Sequence, residues 1–183
     1  ALTYIARTEA VLTEINEAHD ADFRIGSGGG RMSITMDRYG ADWSMVERGY
    51  RCHTYGEGRP FSSATEAVET MYAESDAGDQ YLPSFCIVNA AGAPIGRMSD
   101  GDAVVLFNFR GDRAIEISQA YEDDTFTHFD RGDRPDVFFC GMLQYDGDAL
   151  VPKRYLVNPP LIERTISEYL CAEGVTSFAI SET

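Results

Sequence analysis

Four arginines stand where an α/β chain could turn them toward a single ligand. They are Arg31, directly after Gly28-Gly29-Gly30; Arg38, after Met36-Asp37; and Arg110 and Arg113, directly after an apolar run. A guanidinium presents a planar fork of N–H donors that fits phosphate or carboxylate, so grouped arginines call for an anion. The last pair is the most informative. The run Ala103-Val104-Val105-Leu106-Phe107, extended past Asn108 by Phe109, is too short for a helix. Its β-branched and aromatic content predicts a strand buried on both faces. Gly111 and Asp112 then separate the two arginines, and Ala114 to Ala120 reads as a helix. Where such a strand meets a glycine turn and a helix start, open α/β sheets take their ligands. Arginines three apart across a helix start can point the same way. The competing reading is a structural ion pair, because Asp112 could pair with either neighbour. The residue pattern leaves the two readings open.

Other chemistry finds less support. His19, His53 and His128 have no ligand-like spacing to one another or to cysteine, so the sequence predicts no zinc site. There is no G-x-S-x-G elbow and no serine with a histidine close in sequence. Asp123-Asp124 lies among polar residues, with no apolar surroundings to shift a carboxylate. The triple glycine lacks the Lys-Ser/Thr ending of a phosphate-binding loop. It predicts only freedom for positive φ and for close approach of another chain or a ligand.

The elements that must position the arginines follow from patterning. Thr3 to Ala18 predicts an amphipathic helix through Ile5, Val11, Leu12 and Ile15. Asp22 to Ser27 predicts a strand into the glycines. Asp42 to Tyr55 predicts a helix with Trp43, Val46 and Tyr50 on one side. Ser63-Ala64-Thr65-Glu66 has the form of a capping box opening a helix to about Glu74. Ser84 to Val88 and Ile95 to Met98 predict a hairpin around Gly92-Ala93-Pro94. The Asp130 to Asp136 loop should pair its charges internally or with water. Val137 to Leu143 predicts a second doubly buried strand, Pro152 to Pro160 an extended linker, Ile162 to Ala172 a helix, and Val175 to Ile180 a last strand. The fold class is α/β: a layered sheet with helices on both faces, mostly parallel with an antiparallel hairpin at an edge.

The chain has 183 residues, enough for one substantial domain, and a formal net charge of −15 from 30 acids against 15 bases. That balance excludes a broad nucleic-acid or anionic-membrane surface. Cys52, Cys86, Cys140 and Cys171 lie far apart without a C-x-x-C pair, which predicts free thiols in a reducing compartment. No run is long and apolar enough for a transmembrane helix, and no signal peptide is evident. The opening Ala1-Leu2-Thr3-Tyr4 and the ending Ser181-Glu182-Thr183 suggest a piece of something longer.

Several segments together resemble the cofactor-independent phosphoglycerate mutases, most strongly the plant and trypanosomatid-type branch. They are Gly28 to Arg31, Thr35-Met36-Asp37-Arg38-Tyr39, Asp42-Trp43, Val46 to Tyr50, Gly56-Glu57-Gly58, Ser63 to Glu69, Asp79 to Pro83, and Asp102 to Arg113. The resemblance implies a glycolytic, cytoplasmic, monomeric isomerase that interconverts 3-phosphoglycerate and 2-phosphoglycerate through a phosphoserine, with no 2,3-bisphosphoglycerate requirement. Such enzymes join a phosphatase-like domain, holding two divalent metals (usually manganese) and the nucleophilic serine, to an inserted phosphotransferase domain. By this resemblance residues 1–155 are most of the phosphotransferase domain, and residues 156–183 are a linker and the return toward the phosphatase-like domain. Arg31, Arg38, Arg110 and Arg113 carry over as the residues that grip phosphoglycerate. The resemblance gives this chain no catalytic nucleophile and no metal ligand: the Asn-Ser motif, the Asp/His ligands and the Asp-Gly-Arg-Asp segment are missing from it, and the family's lysine is expected just beyond Thr183. The partners implied are the substrate and the rest of the same enzyme, with no nucleic acid and no membrane. The alternative is a free-standing anion-binding α/β domain without turnover.

Overall fold

A computed structural model describes residues 1–34, 40, 42–158 and 161–180. Among the described residues, two three-stranded sheets are bridged by one helix. The first sheet has the order β1-β3-β2, from β1 (Ser27–Gly28), β2 (Arg59–Phe61) and β3 (Phe85–Ile87). The second has the order β4-β5-β6, from β4 (Ala103–Leu106), β5 (Phe138–Leu143) and β6 (Tyr155–Val157). Every pairing is parallel except β1 with β3, which places the antiparallel strand at an edge. The mostly parallel α/β class expected from the sequence is what the structure shows.

The bridging helix is α2 (Trp43–Tyr55). Asp42 caps its start by accepting from Met45 N at 3.1 Å, and Gly56 ends it with a φ of 74° that favours glycine. On one side the Cys52 thiol, buried and pushed up to about 11, donates to Phe85 O of the first sheet at 3.4 Å. On the other, Val46 and Tyr50 pack with Ile117, Tyr121 and Phe139 beneath the second sheet. The Thr54 hydroxyl meets that of Tyr121 at 2.8 Å, and Thr54 O accepts from Met98 N at 2.9 Å. A second core, around Phe61, Val68, Met71, Leu82 and Phe85, seats α3 (Ala64–Glu74) on the first sheet, and α1 (Leu2–His19) lies outside it through Leu2 and Ile5.

Several sequence expectations are corrected. The run from Ala103 is not buried on both faces. Val104 and Leu106 pack on the core beneath, while Val105 is 49% and Phe107 79% exposed. In β5, Phe139 and Cys140 are buried but Phe138 is exposed. Exposure follows the face: Ala103, Val105 and Phe138 share one face of the sheet by the β4–β5 register and are exposed, whereas Val104, Leu106 and Phe139 pack on the core. The strand expected over Asp22–Ser27 shortens to Ser27–Gly28, and the arm returning at Ile95 is a bridge (Val88 with Pro94) rather than a strand. The linker expected over Pro152–Pro160 contains β6, which pairs with β5, so a strand crosses the 155/156 position. The last helix, α5, spans only Ile166–Ala172, opened by a Thr165 and Glu168 capping box. Val175 to Ile180 forms no strand; those residues stand exposed. At α3 the box is half made: Ser63 accepts from Glu66 N, but the Glu66 carboxylate turns to Ser62 N and Oγ.

Candidate functional site

The glycine turn and the end of β4 face each other across a cavity of about 440 Å³. Gly28, Gly29 and Arg31 line one side, and Val104 to Asn108 the other. The glycines are there for closeness. A Cβ on Gly30 would meet the Gln80 carbonyl carbon and oxygen at 2.4 Å, and one on Gly28 the Phe85 ring at the same distance. None of the three has positive φ, so the conformational freedom expected of them is unused. Gly30 N donates to Leu82 O, and Met32 N to Gln80 O, each at 2.8 Å. This tight seat puts the Arg31 guanidinium against Gln80, whose Oε1 accepts from Nε at 3.2 Å and Nη2 at 3.0 Å. Gln80, on the 3₁₀ turn Asp79–Tyr81, is the partner that spacing could not have named.

At the far side the chain leaves β4 through Asn108, whose Nδ2 donates to Arg110 O at 2.6 Å. Gly111–Arg113 forms a 3₁₀ turn, and α4 (Ile115–Glu122) follows. The Tyr145 hydroxyl fixes this exit. It lies 2.9 Å from Leu106 O and 2.8 Å from Asn108 O, and accepts from Met142 N at 3.1 Å. Nothing in the sequence pattern singled out Tyr145. Arg110 Nη2 is 3.0 Å from Asp112 Oδ2, with the arginine side chain 72% exposed. The ion pair that competed with the anion reading is therefore present. The arginine end is exposed while the Asp112 side chain is 16% exposed, so the guanidinium stays open to solvent beside a half-buried carboxylate.

Arg31 thus sits at the cavity with Asn108, and Arg110 and Arg113 share the turn that leaves the cavity's opposite wall. Arg38 lies outside the described residues. The loop after α4 does more than pair its own charges. Arg131 Nη1 donates to Ala120 O and Asp123 O, and Arg134 Nη1 to Tyr121 O, so both cations satisfy the last carbonyls of α4 and oppose the negative end of its dipole. Behind the glycine turn, His53 Nδ1 is 2.9 Å from Ser27 Oγ, and burial holds the imidazole below its ordinary pKa. Among the described residues no three His, Cys, Asp or Glu side chains converge to hold a metal ion. Cys52, Cys86 and Cys140 are buried and free, and Cys171 is exposed. No helix among the described residues is long and apolar enough to cross a membrane.

The fold and these groups define a class: an α/β domain with Arg110 and Arg113 on the turn after a parallel strand and Arg31 on a glycine turn across a cavity from that strand. Comparison with known proteins narrows it. The model of the BPG-independent PGAM N-terminus family matches residues 1–147. A Leptospira interrogans protein described as a probable 2,3-bisphosphoglycerate-independent phosphoglycerate mutase is 53% identical over 184 residues, covering 100% of this chain and 33% of its own length. The Trypanosoma brucei 2,3-bisphosphoglycerate-independent phosphoglycerate mutase is 53% identical over 177 residues, 96% of this chain and 32% of that protein. A crystal structure of Leishmania mexicana phosphoglycerate mutase, determined at low cobalt concentration, superposes with a TM-score of 0.88 at 47% identity over 94% of this chain and 32% of that one. The chain belongs to the 2,3-bisphosphoglycerate-independent phosphoglycerate mutase family, and it spans about a third of the length of the curated relatives it matches.

Proposed function

We propose that residues 1–183 are the substrate-gripping part of a phosphoglycerate mutase that interconverts 3-phosphoglycerate and 2-phosphoglycerate through a phosphoserine formed elsewhere in the enzyme. Residues 1–155, with the rest of β6, belong to the phosphotransferase domain, and the segment after β6 leads toward the phosphatase-like domain. The nucleophile and the divalent metals, manganese among them, reside in that other domain; this chain works with it and with substrate in the cytoplasm as a monomer. The supporting observation is the placement of Arg31 on the glycine turn opposite the β4 exit that delivers Arg110 and Arg113. That relatives embed this stretch in chains about three times as long supports reading it as part of an enzyme rather than as a free-standing anion binder.

In this reading the arginines, Arg38 included, neutralise a phosphate carrying a charge of about −1.5 to −2 and orient the glycerate. Their contribution is positioning and electrostatics. Arg110 exchanges the Asp112 carboxylate for the substrate, and Gln80 holds the Arg31 fork in plane until the anion arrives. A charge-assisted hydrogen bond contributes about 1.5–3 kcal/mol, so Arg113→Ala or Arg110→Ala in the full-length enzyme should lower kcat/KM by roughly ten- to hundredfold. Steady-state kinetics with 3-phosphoglycerate reads this directly. Wild-type kcat/KM in both variants would refute the gripping role.

A further inference from the structure

We propose that Asn108 is a positioning residue: its side-chain amide fixes the course of the chain as it leaves β4, and so where Arg110 presents its guanidinium. This role rests on the gripping reading of Arg110 and adds to it a residue that acts on the arginine rather than on the substrate.

Packing does little to steer this stretch. β4 ends at Leu106, and beyond it Phe107 is 79% and Phe109 75% exposed. Neither ring joins the core around Phe61 or the one around Tyr50. Hydrogen bonds set the course instead. Asn108 N donates to Leu106 O at 2.9 Å, and the Tyr145 hydroxyl lies 2.8 Å from Asn108 O. Both contacts tie the backbone to what precedes Arg110. The contact that reaches forward is Asn108 Nδ2, which donates to Arg110 O at 2.6 Å. It is the local bond from side chain to backbone by which asparagine shapes turns.

The contact requires an amide. Arg110 O can only accept, so its partner must offer an N–H, which asparagine has and aspartate lacks. An aspartate at 108 would set two acceptors against each other. With its carbonyl held, Arg110 has an extended backbone at φ −82° and ψ 123°, and the 3₁₀ turn Gly111–Arg113 follows. The turn passes close to its neighbour: a Cβ on Gly111 would meet Tyr145 O at 3.1 Å. Ala114 N then closes the turn on Gly111 O at 2.9 Å, a bond in which Asn108 has no part. Arg110 therefore depends on Asn108 directly, whereas Arg113 stands on a turn with a closure of its own. That difference separates the aiming of one arginine from support of the whole exit. Asn108 also lines the cavity with Arg31, so contact with the substrate itself is the rival role.

Steady-state kinetics of the full-length enzyme with 3-phosphoglycerate, read beside melting curves, tests this role. Asn108→Ala and Asn108→Asp are measured alone and combined with Arg110→Ala or Arg113→Ala. Each Asn108 variant alone should raise KM by roughly three- to thirtyfold with kcat within about twofold, because a misaimed arginine loses binding common to the ground and transition states. In the Arg110→Ala background the same substitution should cost less than about twofold more, and in the Arg113→Ala background it should keep its full effect. Effects that multiply with Arg110→Ala would overturn the role and assign Asn108 to the substrate. So would an effect lost equally in both arginine backgrounds, which support of the whole turn would give. Wild-type KM in both Asn108 variants, beside an impaired Arg110→Ala, would overturn the positioning role and leave the gripping reading standing. Wild-type kcat/KM in Arg110→Ala would remove the gripping reading and this role with it. Absence of a melting transition in both Asn108 variants would assign the residue to stability and overturn the role as well.

Discussion

Strands β3 and β4 are comparably apolar in sequence and differ in fate. Phe85, Cys86 and Ile87 lie between two neighbours, and none is more than 5% exposed. Val104 and Leu106 reach a core, but Val105 between them is half exposed and Phe107 is bare. The difference teaches that apolar content does not by itself set burial: β3 is covered on both faces, whereas one face of β4 is open among the described residues. Phe85→Ala attacks the sealed side of the comparison. It removes a ring from the Phe61 and Leu82 cluster and from beneath Gly28, and should cost about 3–5 kcal/mol. Urea unfolding of the full-length protein checks it; a loss as small as that of Phe107→Ala in the same protein would erase the contrast.

Smaller effects separate the two walls of the site. Gly30→Ala drives a Cβ into the Gln80 carbonyl, and such overpacking costs about 1–3 kcal/mol. Because the displaced backbone carries Arg31, KM for 3-phosphoglycerate should rise as stability falls, and steady-state kinetics beside a melting curve reads both. On the opposite wall, Tyr145→Phe keeps the ring but removes the hydroxyl shared by Leu106 O, Asn108 O and Met142 N. It should lower kcat/KM by roughly three- to tenfold at a stability cost of about 1 kcal/mol. Unchanged kinetics would show that the β4 exit holds Arg110 and Arg113 without it.

The smallest expected effect is one of pH. Burial lowers the pKa of His53 from 6.5, so the unfolded chain binds a proton before the folded one does. Stability from this group is therefore complete above the unfolded value and is lost as pH falls below it. His53→Gln should flatten the change in urea midpoint between about pH 7 and pH 5.5, an effect under about 1.4 kcal/mol per pH unit. An unchanged slope would assign the acid sensitivity to other groups.

What could be read from the sequence tracks local signals. Helix α2 was legible because its apolar positions recur on one face, and α3 because Ser63 announces its cap. The turn after β4 was legible because glycine and two arginines interrupt an apolar run. Non-local pairings were hidden. Gln80 reaches Arg31 across 49 residues, and Tyr145 reaches Asn108 across 37, by contacts that no spacing rule encodes. Pro152 and Pro160 make the stretch around β6 predict a linker, whereas the pairing that makes it a strand comes from β5. The apolar content of β4 predicts burial on both faces, but Val105 and Phe107 are exposed because neither composition nor spacing encodes which face is covered.

The decisive measurement is a structure of the full-length enzyme with 3-phosphoglycerate bound. It should place guanidinium nitrogens of Arg31, Arg110 and Arg113 within about 3 Å of the ligand's phosphate or carboxylate oxygens, with Arg110 drawn off Asp112. Substrate held elsewhere, with Arg110 still on Asp112 and Arg31 still on Gln80, would contradict the gripping role assigned to this domain.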